Sequence, residues 1–375
     1  MSVIVALAVA GWVFATSAQI MATVFGLIAQ RRRKPQPTSE PAYTILMPVL
    51  SVDYRFEDAF RSVLVGYRPN IELIVASENP HSPALALARS LAAEHAVPIS
   101  VYTGRAGLAA SPKLDALIEA IRGAKHDLMV IKDSNIVLDP KQLDEVAGLL
   151  TGSVGLVSAI PIIEDVRNFG AEVERSTLNG FHARTLKAGA LFGYGAGIGK
   201  VMMFRRSDLE KAGGLAAISG TIAEDHAMAK VLTRIGLKPV MAPSFARQPV
   251  GERKLRDVFA RQLRWMTIRR REVPLAFLAE PFVCSGYACL CATIAAPALG
   301  ISPFLALGGT LAFHYALEAA YARSQGWPIG PQAFAAWILR EIVNPVLWVR
   351  AWFTREVVWG GRRIDAVFSA GGARQ

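Results

Sequence analysis

Three separate stretches of this 375-residue chain carry side chains that could do chemistry. In the first, Asp133 directly follows an apolar run, so we expect its carboxylate at the end of a β-strand, beside the amide of Asn135. Ligands of open α/β sheets bind beyond the carboxyl ends of the strands, and oxygen ligands suit a hard divalent cation, Mg²⁺ or Mn²⁺, bound to phosphates. The alternative is an aspartate that only caps a turn before Asp139-Pro140.

In the second stretch, Glu224 and Asp225 open a predicted helix after a loop that contains Gly and Ser at 213–221. Acidic residues in a first helical turn often only complement the helix dipole. The functional alternative is a general base, because a carboxylate can take the proton from a hydroxyl nucleophile.

The third stretch, Gly251–Glu272, is strongly basic and is predicted to be helical. Helical geometry puts Gln262 and Trp265 on one face. Arg264 could hold a leaving phosphate, and Trp265 could stack on a sugar.

A second interpretation of the same stretch, compatible with the first, is an amphipathic helix that lies on anionic lipid. Its apolar stripe would consist of Leu255, Val258, Phe259 and Met266. The basic residues expected to contact lipid headgroups are Arg253, Lys254, Arg269, Arg270 and Arg271.

The region 43–250, between the first apolar segment and the basic stretch, alternates short apolar runs with helical patterns. This alternation predicts a doubly wound, mostly parallel sheet. Pro48, Glu78 and Asn79 also follow strand candidates, so we expect them on the same sheet edge as Asp133. Strands are predicted at Thr44–Met47, Glu72–Ala76, Ile99–Tyr102, Leu128–Ile131, Val154–Ile160, Val201–Phe204 and Pro239–Ala242. Helices are predicted at Phe56–Val65, Pro83–Glu94, Pro112–Ile121, Pro140–Leu150 and Ala223–Ile235.

The composition favours a membrane protein, with 52% hydrophobic and only 19% charged residues, against roughly 25% charged residues in an average globular chain. The net charge of +11 fits either nucleic acid or an anionic membrane surface, and the apolar runs favour the membrane. All three cysteines fall in one apolar run, which excludes a disulfide framework or zinc site in the water-soluble part.

The membrane segments are predicted from length and flanking charge. Residues 1–30 form an anchor that is followed by the basic linker 31–42, so the positive-inside tendency puts the catalytic domain in the cytoplasm. The basic segment 251–280 is predicted at the interface, and 281–322 is predicted to be a transmembrane hairpin. Residues 331–375 contain charges that are costly in mid-bilayer, which indicates an interfacial or re-entrant helix with a basic tail.

The order of these motifs resembles the series of three aspartates and (Q/R)xxRW in family 2-like glycosyltransferases, and more closely the ceramide glucosyltransferases of glycosyltransferase family 21. Local similarities are Ser111-Pro112-Lys113, Gly213-Gly214-Leu215, His182 and the ending Trp359–Arg363. Glu78-Asn79 stands where the family has its first aspartate, Met47-Pro48 replaces Lys-Pro, and Ser111 replaces Asn.

The resemblance implies a GT-A fold and inverting transfer of a hexose, expected to be glucose, from a UDP-sugar to a ceramide-like lipid hydroxyl. Asp225 would be the base, and Gln262, Arg264 and Trp265 would hold the diphosphate and the acceptor. The donor-binding residues would be Pro48, Glu78, Asn79, Lys113, Asp133 and Asn135, with Asp133 also binding the divalent cation. His182 and Glu224 would contact the acceptor or support the site.

Three alternatives differ in acceptor or in class. The same chemistry could act on diacylglycerol or a hopanoid-type lipid, or a processive polysaccharide synthase could carry the same motif. A basic membrane-surface scaffold would leave Asp133 and Asp225 more than about 15 Å apart. We expect no nucleic-acid partner, and we expect a bacterial inner membrane, or a Golgi-type membrane in a eukaryote.

Overall fold

The computed structural model describes residues 2–31, 40–138, 140–359 and 362–365. The chain forms two compact units. The sheet unit comprises residues 32–165, 193–251 and 355–375, and the helical unit comprises residues 1–31, 166–192 and 252–354. Most of the predicted linker 31–42 and the end of the basic tail lie outside the described residues.

The strands, in chain order, are β1 (Tyr43–Pro48), β2 (Ile71–Ser77), β3 (Ser100–Thr103), β4 (Leu128–Lys132), β5 (Val154–Val166), β6 (Val201–Arg205), β7 (Lys238–Gly251), β8 (Glu356–Trp359) and β9 (Arg362–Asp365). The α-helices are α1 (Val3–Arg31), α2 (Phe56–Leu64), α3 (Pro83–Glu94), α4 (Pro112–Gly123), α5 (Pro140–Leu149), α6 (Phe169–Arg175), α7 (Arg184–Leu191), α8 (Arg206–Lys211), α9 (Ala216–Ser219), α10 (Glu224–Arg234), α11 (Leu255–Glu272), α12 (Pro274–Ala279), α13 (Ser285–Ala295), α14 (Pro303–Ser324) and α15 (Pro331–Phe353). A π-helix spans Ser176–Ala183.

The sheet unit is built on a seven-stranded sheet with the order β3-β2-β1-β4-β6-β5-β7. Strands β1 to β4 pair in parallel, whereas β6 runs antiparallel to β4 and β5. β1, β2 and most of β4 are buried, because helices cover both faces of a parallel sheet. One face packs on Phe60 and Leu85, and the other packs on Leu117 and Met228. The predicted doubly wound, mostly parallel sheet is therefore confirmed.

In the helical unit, α1 packs against α7, α13 and α14. The close approach needs small residues, since a Cβ at Gly11 would meet Tyr287 and one at Gly26 would meet Tyr321. The outward face of α1 carries exposed apolar side chains such as Leu7 and Phe14. By length and composition α1 could cross a membrane, and so could the pair Pro274–Val283 and Ser285–Leu299 if this pair, bent by 51°, counts as one span.

Residues 166–192 group with the helical unit, although they were predicted to belong to the catalytic domain. The cause is a set of contacts with α1 that are remote in sequence. The fully buried Arg184 donates hydrogen bonds to Thr23 Oγ1, at 3.0 Å, and to Gln19 Oε1. Such pairs leave no local signature in the sequence.

Helix α15 contains the charges that favoured an interfacial or re-entrant segment at 331–375. Arg340 is 4% exposed, and its guanidinium donates two hydrogen bonds of 2.8 Å to the carboxylate of Glu318 on α14. The carboxylate of Glu318 neutralises the charge of Arg340 inside the helical unit, so this charge is not exposed to lipid. The helix continues through Pro345 to Phe353.

Candidate active site

The centre of the candidate site in the sheet unit is Asp133, which directly follows β4. Its Oδ1 lies 2.8 Å from Lys113 Nζ, and its Oδ2 lies 3.0 Å from Lys200 Nζ. Burial raises the pKa of Asp133, but the two lysines outweigh burial and hold the pKa at about 2. The carboxylate is therefore ionised at neutral pH. The predicted position at the end of a strand agrees with the structure.

Lys113 links Asp133 to the second pair of carboxylates. Its Nζ lies 3.7 Å from Glu224 Oε1 and donates a hydrogen bond to the carbonyl of Gly199. The backbone N–H of Gly199 in turn donates to Asp225 Oδ2 at 2.9 Å. Each of these contacts is shorter than 4 Å, so the carboxyl groups of Asp133 and Asp225 lie in one site. A separation of more than about 15 Å between them would have argued against an enzyme.

The two acidic residues at the start of α10 differ in environment. Glu224 has a side chain only 7% exposed, and burial, with the neighbouring charge of Asp225, raises its pKa to about 7 against the opposing effect of Lys113. Asp225 is half-buried, and its two oxygens accept backbone hydrogen bonds from His226 and Gly199. These bonds fix the carboxylate of Asp225 while leaving it accessible.

The backbone segment before β6 approaches α10 so closely that only glycine fits. A Cβ at Gly197 would collide with the backbone carbonyl of Asp225, and one at Gly199 would lie 3.1 Å from Lys113 Nζ. Neither this segment nor Lys200 was predicted from the sequence to belong to the site. The alternating glycines at 193, 195, 197 and 199 were the available signal, since such a pattern marks close backbone approach.

The remaining predicted donor residues lie at the ends of β1 and β2. Pro48 ends β1, and Asn79 Oδ1 accepts a hydrogen bond from the backbone N–H of His81 at 2.9 Å, which forms a turn. Glu78 lies 3.5 Å from Arg105, and Arg105 lies 3.4 Å from Asp115. A cationic partner for Glu78 was not predicted.

Asp115, in the first turn of α4, fastens the loop that precedes this helix. Its carboxylate accepts backbone hydrogen bonds from Gly107, Leu108 and Ala109, at 2.8 to 3.1 Å. Burial raises the pKa of Asp115, but these bonds and Arg105 outweigh burial and lower it. The loop is therefore held in one conformation next to Glu78 and Lys113.

The other predicted site residues, Gln262, Arg264, Trp265 and His182, belong to the helical unit. The predicted site residues therefore form two groups, one in each unit. Gln262 on α11 is 2% exposed, and neither atom of its amide has a hydrogen-bond partner among the described residues. Arg264 is partly buried, and burial and Arg261 lower its pKa to about 10. Trp265 is half-buried. A buried amide without a partner costs about 1–3 kcal/mol.

His182 lies in the π-helix Ser176–Ala183 of the helical unit. The residue is half-buried, and its ring contacts Phe181 edge-on at 5.2 Å. Burial and the charges of Arg269 and Arg340 hold its pKa well below the usual value. The imidazole is therefore neutral near pH 7.

The amphipathic-surface interpretation of α11 is wrong in two respects. Val258 and Met266 are buried, Val258 against α6 and α15 and Met266 against α12 and α15, instead of facing lipid. Three of the five basic residues assigned to lipid headgroups bind groups of the protein itself: Arg253 binds Glu174, Arg269 binds Glu280, and Arg270 binds the carbonyls of Trp352 and Thr354. The sequence shows the charges but not the remote acids and carbonyls that neutralise them.

A divalent cation fits this site only if the substrate supplies some of the ligands that coordinate the cation. Among the described residues, no group of three or more His, Cys, Asp or Glu side chains could hold a metal ion. Asp133 and Asn135 offer oxygen ligands on one turn, but Asp133 is paired with both lysines, and Asn135 Oδ1 accepts from Lys200 at 3.3 Å. Mg²⁺ is commonly held by one or two carboxylates plus substrate phosphates, and this donor set agrees with that arrangement.

Comparison with known proteins supports a single family. The model of glycosyl transferase family 21 matches residues 4–368. Ceramide glucosyltransferase 1 of Caenorhabditis elegans is 24% identical over 340 residues, which cover 87% of this chain and 72% of the relative. Ceramide glucosyltransferase 3 of the same organism is 22% identical over 364 residues, which cover 94% of this chain and 79% of the relative.

Among solved structures, the mannosyltransferase PcManGT from Pyrobaculum calidifontis, in complex with GDP-Man and Mn²⁺, has a TM-score of 0.56 at 19% sequence identity. The superposition covers 91% of this chain and 99% of the mannosyltransferase. This likeness confirms the predicted GT-A fold. Because the family model matches nearly the whole chain, the protein belongs to glycosyl transferase family 21.

Proposed function

We propose that the protein transfers a hexose, glucose, from a UDP-sugar to the primary hydroxyl of a ceramide-like membrane lipid, with inversion at the anomeric carbon. The observation that carries this proposal is the cluster of Asp133, Lys113, Glu224 and Asp225 at the carboxyl end of the sheet. The relatives named as ceramide glucosyltransferases support the lipid acceptor and the sugar. The apolar helix α1 supports a membrane location.

Asp225 is the general base of the proposed reaction. Its carboxylate takes the proton of the lipid hydroxyl while the hydroxyl oxygen attacks the anomeric carbon and the bond to UDP breaks. One displacement inverts the configuration, so a single base suffices and no enzyme nucleophile is needed. Asp225 suits this role better than Glu224, because Glu224 is buried against Lys113 and Asp225 is half-buried and held by two backbone bonds.

Lys113 and Lys200 supply positive charge where the diphosphate of the donor would bind next to Asp133. A divalent cation held by Asp133, Asn135 and the diphosphate would offset the charge that develops on the leaving UDP. Pro48, Glu78 and Asn79, at the ends of β1 and β2, are proposed to bind the nucleoside.

Gln262, Arg264 and Trp265 are proposed to act on the diphosphate and the acceptor. The amide of Gln262, buried without a protein partner, and the desolvated guanidinium of Arg264 support a binding role. Arginine suits a diphosphate because its planar fork can donate two parallel hydrogen bonds.

The test is a product assay with the full-length protein in membranes. Labelled UDP-glucose, UDP-galactose and GDP-mannose are each supplied with ceramide, diacylglycerol or no lipid, and products are identified by mass spectrometry. We expect glucosylceramide, and we expect Asp225→Asn to lower its formation by about 10²-fold or more. The control Glu119→Gln alters an exposed acid of α4 and leaves activity intact. A polymeric product, or no lipid product with any donor, overturns the proposal.

A further inference from the structure

A third lysine of the sheet unit, Lys132, lies next to Asp133 in the chain and has no role in the reaction proposed above. It is the last residue of β4, and it is fully buried. Side chains of a strand point alternately to the two faces of the sheet, so Lys132 lies on the same face as Val130. On that face Val130 belongs to the apolar core that also contains Phe60 of α2. An apolar side chain is the expected occupant of such a position.

Among the described residues, the hydrogen-bond acceptors of the Lys132 ammonium are two backbone carbonyls. The ammonium donates to the carbonyl of Ala59 on α2, at 3.1 Å, and to the carbonyl of Asp133, at 3.2 Å. Lys113 and Lys200, in contrast, both contact the carboxylate of Asp133. The positive charge of Lys132 therefore forms no ion pair within the described part of the chain.

These two hydrogen bonds do not explain why the position holds a lysine. The carbonyl of Ala59 also accepts from the hydroxyl of Ser62, at 2.7 Å, and the carbonyl of Asp133 also accepts from the backbone N–H of Ile136, at 3.3 Å. An apolar side chain in place of Lys132 would thus leave neither carbonyl without a partner. A buried charge is costly unless it is paired. Burial lowers the pKa of Lys132 to about 7, against the opposing effect of Asp133, so the protein alone compensates this charge poorly.

An anionic ligand next to Asp133 would compensate the charge of Lys132. The proposed diphosphate site lies beside the carboxylate of Asp133, and the Lys132 ammonium is 3.2 Å from the carbonyl oxygen of the same residue. Charges that lie a few ångströms apart in a protein interact more strongly than they do in water, and salt screens a buried charge only weakly. Because the ammonium is fully buried, it acts on the phosphates through its electric field and not by direct contact.

We propose that Lys132 is a buried electrostatic residue of the donor site. Its charge stabilises the bound diphosphate and the negative charge that develops on the nucleoside diphosphate as the bond to the sugar breaks. The inference rests on the proposed function and adds a residue to the donor site. Lys132 then lowers the stability of the unliganded protein while it raises the affinity for the donor, a trade-off that is common at functional sites. A lysine that only supported the fold would contribute to stability and affinity in the same direction.

The test compares full-length Lys132→Met with the wild type and with the control Lys125→Met, which removes an exposed lysine shortly before β4. Titration calorimetry measures the binding of UDP and UMP, and ligand-observed NMR measures that of uridine, in mildly acidic buffer with Mg²⁺, where Lys132 is protonated. We expect Lys132→Met to weaken UDP binding at least about tenfold, to weaken UMP binding less, and to leave uridine binding unchanged. Its melting temperature should equal or exceed that of the wild type, and Lys125→Met should bind all three ligands as the wild type does.

A second variant separates the charge of Lys132 from its hydrogen bonds. Lys132→Gln keeps N–H donors for the two carbonyls but carries no charge, so we expect it to bind UDP as weakly as Lys132→Met does. If Lys132→Gln binds UDP like the wild type, the hydrogen bonds matter and the charge does not, which overturns the proposal. A lower melting temperature of Lys132→Met, with equal losses for UDP and uridine, overturns it as well. If Lys132→Met does not fold, the ratio of UDP to uridine affinity in Lys132→Gln decides.

The outcomes separate the inference from the function that it rests on. The electric field of Lys132 acts on phosphates and not on the base, so we expect the same loss for GDP if the protein binds GDP instead of UDP. If the wild-type protein binds a nucleoside diphosphate but glucosylates no lipid, the proposed function fails and the inference stands. If the wild type glucosylates ceramide but Lys132→Met binds UDP equally well, the inference alone fails.

Discussion

Replacing Lys113 by methionine is the most informative perturbation of the carboxylate cluster. The ammonium lies 2.8 Å from Asp133 and 3.7 Å from Glu224, and its side chain is 11% exposed. The presence of these two acids raises its pKa against the effect of burial. Methionine keeps the apolar stem and removes the charge, so Glu224 loses its cation while Asp133 keeps Lys200.

The expected cost follows from this arrangement. Breaking a buried ion pair by removing one partner costs about 3–5 kcal/mol. Because Lys200 still neutralises Asp133, we expect the lower end, about 3 kcal/mol. Lys200→Met is the matched control: Lys200 is 22% exposed, and among the described residues its carboxylate partner is Asp133, so its removal should cost less than that of Lys113.

The assay combines thermal unfolding of the purified full-length protein with calorimetric titration of UDP. We expect Lys113→Met to lower the melting temperature more than Lys200→Met, and both variants to weaken UDP binding. If Lys200→Met is as destabilising as Lys113→Met, Lys113 does not hold the two groups of carboxylates together. If UDP binds both variants as it binds the wild type, the lysines do not contact the diphosphate.

Three further predictions concern the chemistry. Asp225→Asn should keep the fold and UDP binding but lower transfer by about 10²-fold or more, the usual contribution of a general base; substantial remaining turnover would exclude that role. Excess chelator should reduce transfer, and Mn²⁺ should bind tightly only when UDP is present, since Asp133 and Asn135 supply too few ligands; full activity in chelator, or tight Mn²⁺ binding without UDP, would contradict this. Arg264→Lys should lower kcat because a point charge lacks the fork, and an unchanged rate would make Arg264 structural.

Much of the sheet unit could be predicted because its signals are local. Helix α3 begins and ends at the predicted residues, since Pro83 is favourable at a first helical position. Strands β2 and β4 were predicted from continuous apolar runs, and the structure buries them as expected. The placement of Asp133 followed from the end of β4, because the polar residue after a buried strand must lie at the sheet edge.

The predictions failed where a side chain finds its partner far along the chain. Lys200 is 67 residues from Asp133 in the sequence, and no local sequence pattern around either residue predicts their ion pair. The charges of α11 were assigned to lipid because their neutralising partners, such as Glu174 and Glu280, belong to other elements. Hydrophobic periodicity locates an element, but it does not reveal the partner of a charge.

The distribution of charge within each unit matches the part of the reaction that we assign to it. In the sheet unit, Lys113 and Lys200 lie beside Asp133, where we propose that the diphosphate binds, and they would supply the positive charge that it needs. In the helical unit, Arg269 and Arg340 are already paired with Glu280, Glu318 and Glu341. A net charge of +11 therefore says little about the ligands of either unit. The anionic donor that we propose needs positive charge at its binding site, and the sheet unit supplies it through Lys113 and Lys200, whereas the arginines Arg269 and Arg340 of the helical unit are paired with carboxylates of that unit.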